Sequence, residues 1–393
     1  MKKYLFSLMM MAMGSALVTS CLSNDDDNKR KDPEVVTITS GVYVVNNGTW
    51  NHNNGSLSYF DYGTLQTSQL LEGVSGLGDT PNDAFTKGDT IFIVGSTENT
   101  IFVVNKKNFN IIKRISTTET MGEAEGYNPR HITGLGNNIY FTTYGGYVGV
   151  IDAKSLTMSQ TKYKVGSGPE GLAVGGSASN PFLYVANSDY AYGNGSISKI
   201  DLSSGDVEEI KNEMIKNPQE IIAIGNDLYI LDWGYYDESW SHQIDPGLYL
   251  YKDGNVNKLI ADATGMGAGL LYYNNEIIGY LIVTFNNPYG STSKPTYSTF
   301  NTYSGERKTL TLSGEPSGYE IFSPAAIAVD PLRGNIIIAS RPIDPETGYA
   351  SYTLPGYANM YTSDGVYIKD THFQTGIEPH MIGFTFDKQI INY

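Results

Sequence analysis

The chain is written in short runs in which β-branched and aromatic residues alternate with polar ones. These are VYVVNN at 42–47, IFIVGS at 91–96, IYFTTY at 139–144, LYVANS at 183–188, LYILDW at 228–233, IIIASR at 336–341 and a less regular IIGYLIVTF at 277–285. A two-residue alternation of this kind marks half-buried strands. No long window carries a 3.6-residue apolar period, which excludes a solenoid of helical repeats.

Residues 169–210 show the repeating unit in full: a proline, strands at 172–174 and 183–187, a Gly/Asn/Tyr loop, an alternating strand at 196–201, a Ser-Gly turn and a last strand at 207–210. Four strands joined in sequence make one antiparallel sheet, whose edges and faces stay uncovered unless copies pack around a common axis. The leading motif returns as Pro81-Asn-Asp-Ala, Pro129-Arg-His-Ile, Pro169-Glu-Gly-Leu, Pro218-Gln-Glu-Ile, Pro324-Ala-Ala-Ile and Pro379-His-Met-Ile, with a proline-less copy at Met266-Gly-Ala-Gly-Leu. Seven copies at intervals of 40 to 57 residues predict an all-β fold, a seven-bladed β-propeller. The first blade lacks its first strand, and the run at 381–386 supplies it, so the ring is expected to close by pairing the N- and C-terminal strands, with 389–393 as a short tail. Each blade needs its neighbours, so 38–393 is read as one domain.

The chain starts differently. Residues 1–20 carry two lysines and then an apolar run, as a secretory signal peptide does. The small residues before Cys21 are similar to a bacterial lipobox, and Cys21 is the one cysteine of the chain. A lone cysteine has no intramolecular disulfide partner, so lipid attachment accounts for it best. Residues 21–37 then read as a lipidated cysteine followed by a disordered acidic tether. The run Asp25 to Asp27 is similar to the export signal that places lipoproteins of gut anaerobes on the outer leaflet of the outer membrane; the expected location is the cell surface, with a solvated spacer facing the periplasm as the alternative.

Function is read from the loops. In an up-and-down blade, the connections between strands two and three share one end of the ring with the links between blades, and the other turns lie at the opposite end. The opposite end is plain, with turns such as Ser203-Ser204-Gly205 and Asp364-Gly365. The two-to-three loops, at 46–54, 95–100, 143–147, 187–194, 232–246, 286–298 and 340–359, hold all three tryptophans and at least ten tyrosines. Large aromatic area left in water forfeits roughly 1.5–3 kcal/mol per side chain, so this end reads as a recognition surface; loops packed on one another as a lid are the competing explanation. The candidate ligand contacts are Asn46, Trp50, Arg130, His131, Tyr144, Tyr147, Tyr190, Tyr192, Gln219, Trp233, Tyr235, Tyr236, Trp240, Tyr289, Arg341, Tyr349 and His380.

Charge narrows the ligand. The chain has 41 acidic and 26 basic residues, a net charge of −15, which argues against nucleic acid, since phosphates need clustered Lys and Arg. Anionic siderophores, haem propionates and sulfated glycans are disfavoured on the same ground. A bulky neutral ligand suits the surface better.

The cysteine with its trailing aspartates, the opening GVYVVNNGTWNHNNGSLSYFD and the repeated P-x-x-[IL]…LYVAN…G-x-[IL]-x-x-ID pattern resemble the YncE-like seven-bladed propeller lipoproteins of gut anaerobes, among them the cobalamin-capture proteins of the BtuG type. The resemblance implies a corrinoid lying across the decorated end and handed to a TonB-dependent outer-membrane transporter. Fold alone does not fix function, and an enzyme remains the other reading. Propeller lyases and hydrolases place their groups at the channel mouth, where Arg130, His131, Glu170, Gln219, Glu220 and His380 would lie. No metal-binding histidine spacing, serine elbow, P-loop or dinucleotide fingerprint is present, so no required cofactor or metal is expected. A glycan-binding accessory lipoprotein is a third possibility.

Overall fold

The computed structural model describes residues 34–391 apart from 238, 240–242, 263–269, 274–275 and 282–294. The expectations placed on Cys21, Trp240 and Tyr289 lie outside the described residues. The described chain is all-β, with seven four-stranded antiparallel sheets and one two-stranded sheet. The unit read at 169–210 folds as Pro169–Ser177, Asn180–Asn187, Ser196–Asp201 and Val207–Ile210, hydrogen-bonded in that order. Sheets opening at Pro81, Pro129, Pro218, Leu270 and Ser323 repeat it, each with its strands in sequence order.

The remaining sheet joins the two ends of the chain, in the order Gln66–Leu70, Ser56–Asp61, Glu34–Asn46, Pro379–Ile391. Residues 389–391 are not a separate tail. The last strand runs unbroken to Ile391 because its partner also extends back to Glu34, and Glu34 pairs with Ile391. Two stretches expected as loop are strands instead: Thr296–Asn301 and Pro355–Tyr361 both begin inside the predicted loop limits. The 232–246 loop contains a further hairpin, Tyr235–Tyr236 with Gln243–Ile244.

Apolar residues fill the spaces between successive sheets. Val42, Val44 and Phe60 pack on Ile337, Ala339 and Phe373 on one side of the terminal sheet, and Tyr43, Val45 and Leu57 pack on Ile91, Ile93 and Phe102 on the other. The same pairing continues from the Pro81 to the Pro129 sheet, and onward through the Pro169 and Pro218 sheets to the Leu270 and Ser323 sheets. Each strand thus has one face toward each neighbouring sheet, which is why the central strands are apolar on both faces. This is the arrangement of a propeller-type fold.

Candidate functional site

Proline has no N–H to give a ladder and fits the first position of a strand. Five of the six leading prolines stand there and Pro324 is second in its strand, and each is followed by an irregularity in register: one extra residue on the proline strand, as between Pro129 and Ile132 opposite Thr143 and Phe141. A bulge of this kind re-aims the side chains beside it. Because Pro129 pairs with Thr143, Pro169 with Asn187 and Pro218 with Asp232, the residues after the prolines share one end of the sheets with the two-to-three loops.

The side chains that follow the prolines meet across sheet boundaries. Arg130 Nε donates to Glu170 Oε2 at 3.0 Å and its Nη1 lies 3.4 Å from Asn82 Oδ1. His131 holds Asp83 through Nδ1 at 3.2 Å, with Nε2 at 3.6 Å from Glu170. The Tyr144 hydroxyl donates to the other Glu170 oxygen, and the Arg130 guanidinium lies 4.7 Å from the Tyr144 ring centroid. Close by, Arg341 Nε donates to Glu378 Oε2 at 2.7 Å. Three cations and three carboxylates therefore neutralise one another in pairs.

These contacts set the protonation states. Burial works against the His131 charge, but hydrogen bonds to Asp83 and Glu170 outweigh it and carry its pKa up to about 10. Burial likewise opposes ionisation of Glu170, yet Arg130 and His131 hold it below the usual carboxylate range. Among the described residues Glu220 has no such partner: burial, resisted by His131 and aided by Asp83 and Glu170, pushes it up to about 7. His380 goes the other way, down to about 3, through burial and then the charges of Arg130 and His131. Among the described residues, no group of three or more His, Cys, Asp or Glu is placed to hold a metal ion.

The predicted contacts divide into three kinds. Arg130, His131, Tyr144 and His380 come together at the mouth, with Arg341 beside them. Gln219 follows its own leading proline and donates to Asn217 Oδ1 at 2.6 Å, two residues before it in the chain. A second group stands in solvent on the loops: Trp50 at 71% exposure, Tyr192 at 77%, and Tyr190, Tyr236 and Tyr349. The Tyr190 hydroxyl donates to the Tyr144 carbonyl at 2.8 Å, which ties the rim to the mouth.

A third group is built into the fold. Asn46 is fully buried, its amide donating to Ser56 Oγ and Ser58 Oγ at 3.1 and 2.9 Å; Asn187 does the same with Ser196 and Ser198. Trp233 packs against the core shared by the Pro218, Leu270 and Ser323 sheets, and its indole N–H is buried without a partner among the described residues. Tyr147 and Tyr235 are half-buried, Tyr147 against the core and Tyr235 in the small hairpin.

Sequence reasoning passed over Asp83, Asn82 and Glu378. Asp83 was open to discovery, since it stands two residues after its proline as His131 does; Glu378 precedes its proline and carried no such signal. A cavity of about 390 Å³ lined by Tyr319, Ile321, Phe322, Pro342, Tyr357 and His372 was also unforeseen.

No family model matches the chain, and no curated protein matches it. Solved structures do. Hydrazine synthase of Kuenenia stuttgartiensis aligns with 80% of this chain and 95% of its own, at 14% identity and a TM-score of 0.58. A hypothetical selenium-binding protein from Sulfolobus tokodaii aligns over 88% and 94% at 11% identity and 0.62. A candidate 6-phosphogluconolactonase from Bacteroides uniformis aligns over 88% and 100% at 12% identity and 0.57. At such identities the likeness is one of fold, and that fold is of the propeller type.

Proposed function

We propose that the chain is a closed seven-bladed propeller that binds a bulky uncharged ligand across the end carrying the leading prolines. The observation behind this reading is where exposed aromatic side chains stand. Among the described residues, Trp50, Tyr127, Tyr190, Tyr192, Tyr236, Tyr319, Tyr349 and Tyr352 are exposed at or near that end, against Tyr303 alone in the turns of the other. Rigid aromatic surface around a polar mouth is what a ligand-binding face needs. The pairing of Arg130 with Glu170, His131 with Asp83 and Arg341 with Glu378 leaves none of these three cations free for an anionic ligand, which favours an uncharged one. Packing that passes from sheet to sheet and back to the terminal sheet supports a closed ring of seven.

A corrinoid is our choice of ligand, on the resemblance to cobalamin-capture lipoproteins. Lipidation at Cys21 would hold the protein at the outer membrane, facing the cell surface, and a TonB-dependent transporter would receive the cargo. Equilibrium dialysis against cyanocobalamin, haem, a ferric siderophore and oligosaccharides tests this, with tryptophan fluorescence as a second readout. No retention of cyanocobalamin at micromolar protein would discard the corrinoid, and retention of a sugar in its place would make the protein a glycan-binding accessory. One observation favours an enzyme at the same mouth, a lyase or glycan-processing propeller: Glu220 is poised near neutrality beside a charged histidine.

A further inference from the structure

Four carboxylates are buried among the described residues, and one of them lacks the partners that the others have. Glu170 has Arg130, His131 and Tyr144 around it, Asp232 accepts from three N–H groups, and Asp330 accepts from two N–H groups and two hydroxyls. Asp79, at 2% exposure, accepts from the Asn51 N–H alone, at 2.9 Å to Oδ2. Its Oδ1 is sealed from solvent and has no partner among the described residues. A buried charge without a counter-charge is strongly destabilising, and a water molecule, being neutral, would not cancel it. Other oxygens stand at the same place. Glu98 Oε1 lies 3.3 Å from the Asp79 main-chain nitrogen and so brings a second carboxylate alongside. The Asn47 carbonyl accepts at 3.2 Å from Thr80, the residue after Asp79, and the Asn47 side-chain oxygen is likewise sealed without a partner among the described residues. Contacts to the Asp79–Thr80 main chain thus join the 46–54 loop, the 95–100 loop and the link before Pro81.

We propose that Asp79 Oδ1 binds a divalent cation of the calcium class, with Glu98 and the Asn47 side-chain oxygen as further ligands, and that the ion pins the loop bearing Trp50 to the link before Pro81. Two carboxylates match two positive charges. Calcium accepts carboxylate, amide and main-chain oxygens in irregular geometry, whereas magnesium demands a near-ideal octahedron and keeps several of its waters. A sealed oxygen leaves no place for that water, so the site suits the ion that sheds it. With two acidic side chains the set is sparser than three His, Cys, Asp or Glu would make, and amide and main-chain oxygens carry the rest.

The test uses the whole protein, freed of metal by dialysis against EDTA. Calcium chloride is expected to raise the thermal midpoint by about 2–4 °C once free calcium exceeds its dissociation constant about ten- to a hundredfold, and magnesium chloride is expected to leave it in place. Asp79→Asn keeps an acceptor for the Asn51 N–H and drops the charge. In EDTA it is expected to melt no lower than the wild type and in calcium to melt lower, a reversal that a carboxylate with a merely structural role would not produce. Glu98→Gln, at an exposed side chain, is expected to need about tenfold more calcium for the same shift. Terbium(III) gives a second readout: excited through Trp50, which adjoins Asn51, it is expected to luminesce, to lose that emission to competing calcium, and to lose most of it in Trp50→Phe. Equal midpoints in EDTA and in calcium, a magnesium shift as large as the calcium one, or a calcium shift that survives Asp79→Asn would each overturn the proposal. None of these readouts uses the ligand of the mouth, so a failure of corrinoid binding leaves the cation site standing.

Discussion

Arg130 and Glu170 stand one residue after the leading prolines of adjacent sheets, and a 3.0 Å contact from Nε to Oε2 joins them. Glu170 is only 4% exposed and also faces His131 and Tyr144. Removing its charge leaves a guanidinium and an imidazolium side by side with less to hold them. Glu170→Gln is expected to lower the unfolding free energy by about 3–5 kcal/mol, the usual effect of breaking a buried pair. Urea unfolding measures it as a shift in midpoint at constant slope. The double variant Arg130→Met/Glu170→Leu should recover part of the loss, because it removes both charges together. A drop of less than about 1 kcal/mol in Glu170→Gln would mean that water screens the pair.

The mouth also dictates how stability varies with pH. His131 has a folded pKa of about 10 against an ordinary 6.5, so its contribution is complete below pH 6.5 and disappears as pH rises through 10. Glu220, at about 7 against 4.5, keeps a proton that the unfolded chain has released, so stability declines between those two values. His380, with a folded value of about 3 against 6.5, adds stability as pH rises between those values, so each of the two declining stages is expected in the difference between the wild-type midpoint and that of the matching variant rather than in the wild-type curve alone. Glu220→Gln should remove the lower stage and His131→Gln the upper one. A difference between wild type and Glu220→Gln that stays flat across the lower window would contradict the assignment of Glu220.

The arrangement of strands could be read from the chain because alternation and leading prolines are local properties: Ser196–Asp201 and Val207–Ile210 begin and end where the pattern places them. The destination of a loop side chain is not local. Trp50 and Trp233 occupy equivalent connections, yet one stands in solvent and the other fills space between sheets. The difference traces to Asp232, which is buried and accepts from the N–H groups of Lys216, Asn217 and Gly234, drawing the start of that loop inward. Asn46 misled in the same way, since an asparagine at a strand end suits a ligand and a serine pair equally well. The bulges after the prolines left no mark beyond the prolines themselves.

That contrast separates two tryptophan substitutions. Trp50→Ala removes an exposed indole and should change stability by no more than about 0.5 kcal/mol. If the decorated end binds the ligand, the same change should weaken binding by about 2 kcal/mol, the scale of an interface hot spot. Trp233→Ala should do the reverse, costing about 2–4 kcal/mol of stability through the cavity it opens. Dialysis and urea unfolding on both variants decide the matter. A Trp50→Ala variant with undiminished affinity would take the 46–54 loop out of the site.

Tyr43 and Gly383 are direct partners across the two terminal strands. The Tyr43 ring lies over the glycine so closely that a Cβ there would collide with it, and its hydroxyl lies 2.9 Å from Thr86 Oγ1 in the next sheet. An aromatic ring covering a cross-strand glycine fixes register, and here it does so where the first and last strands of the chain meet. Gly383→Ala is expected to push the ring from its place and destabilise the fold by about 1–3 kcal/mol. Tyr43→Phe should cost about 1 kcal/mol through the lost hydrogen bond alone. Tyr43→Leu with Gly383→Ala should be less harmful than the sum of the single changes, because the shorter side chain no longer meets the added methyl. Strict additivity in urea unfolding would show that the ring is free to move aside, and that the pairing of the chain ends owes its register to something else.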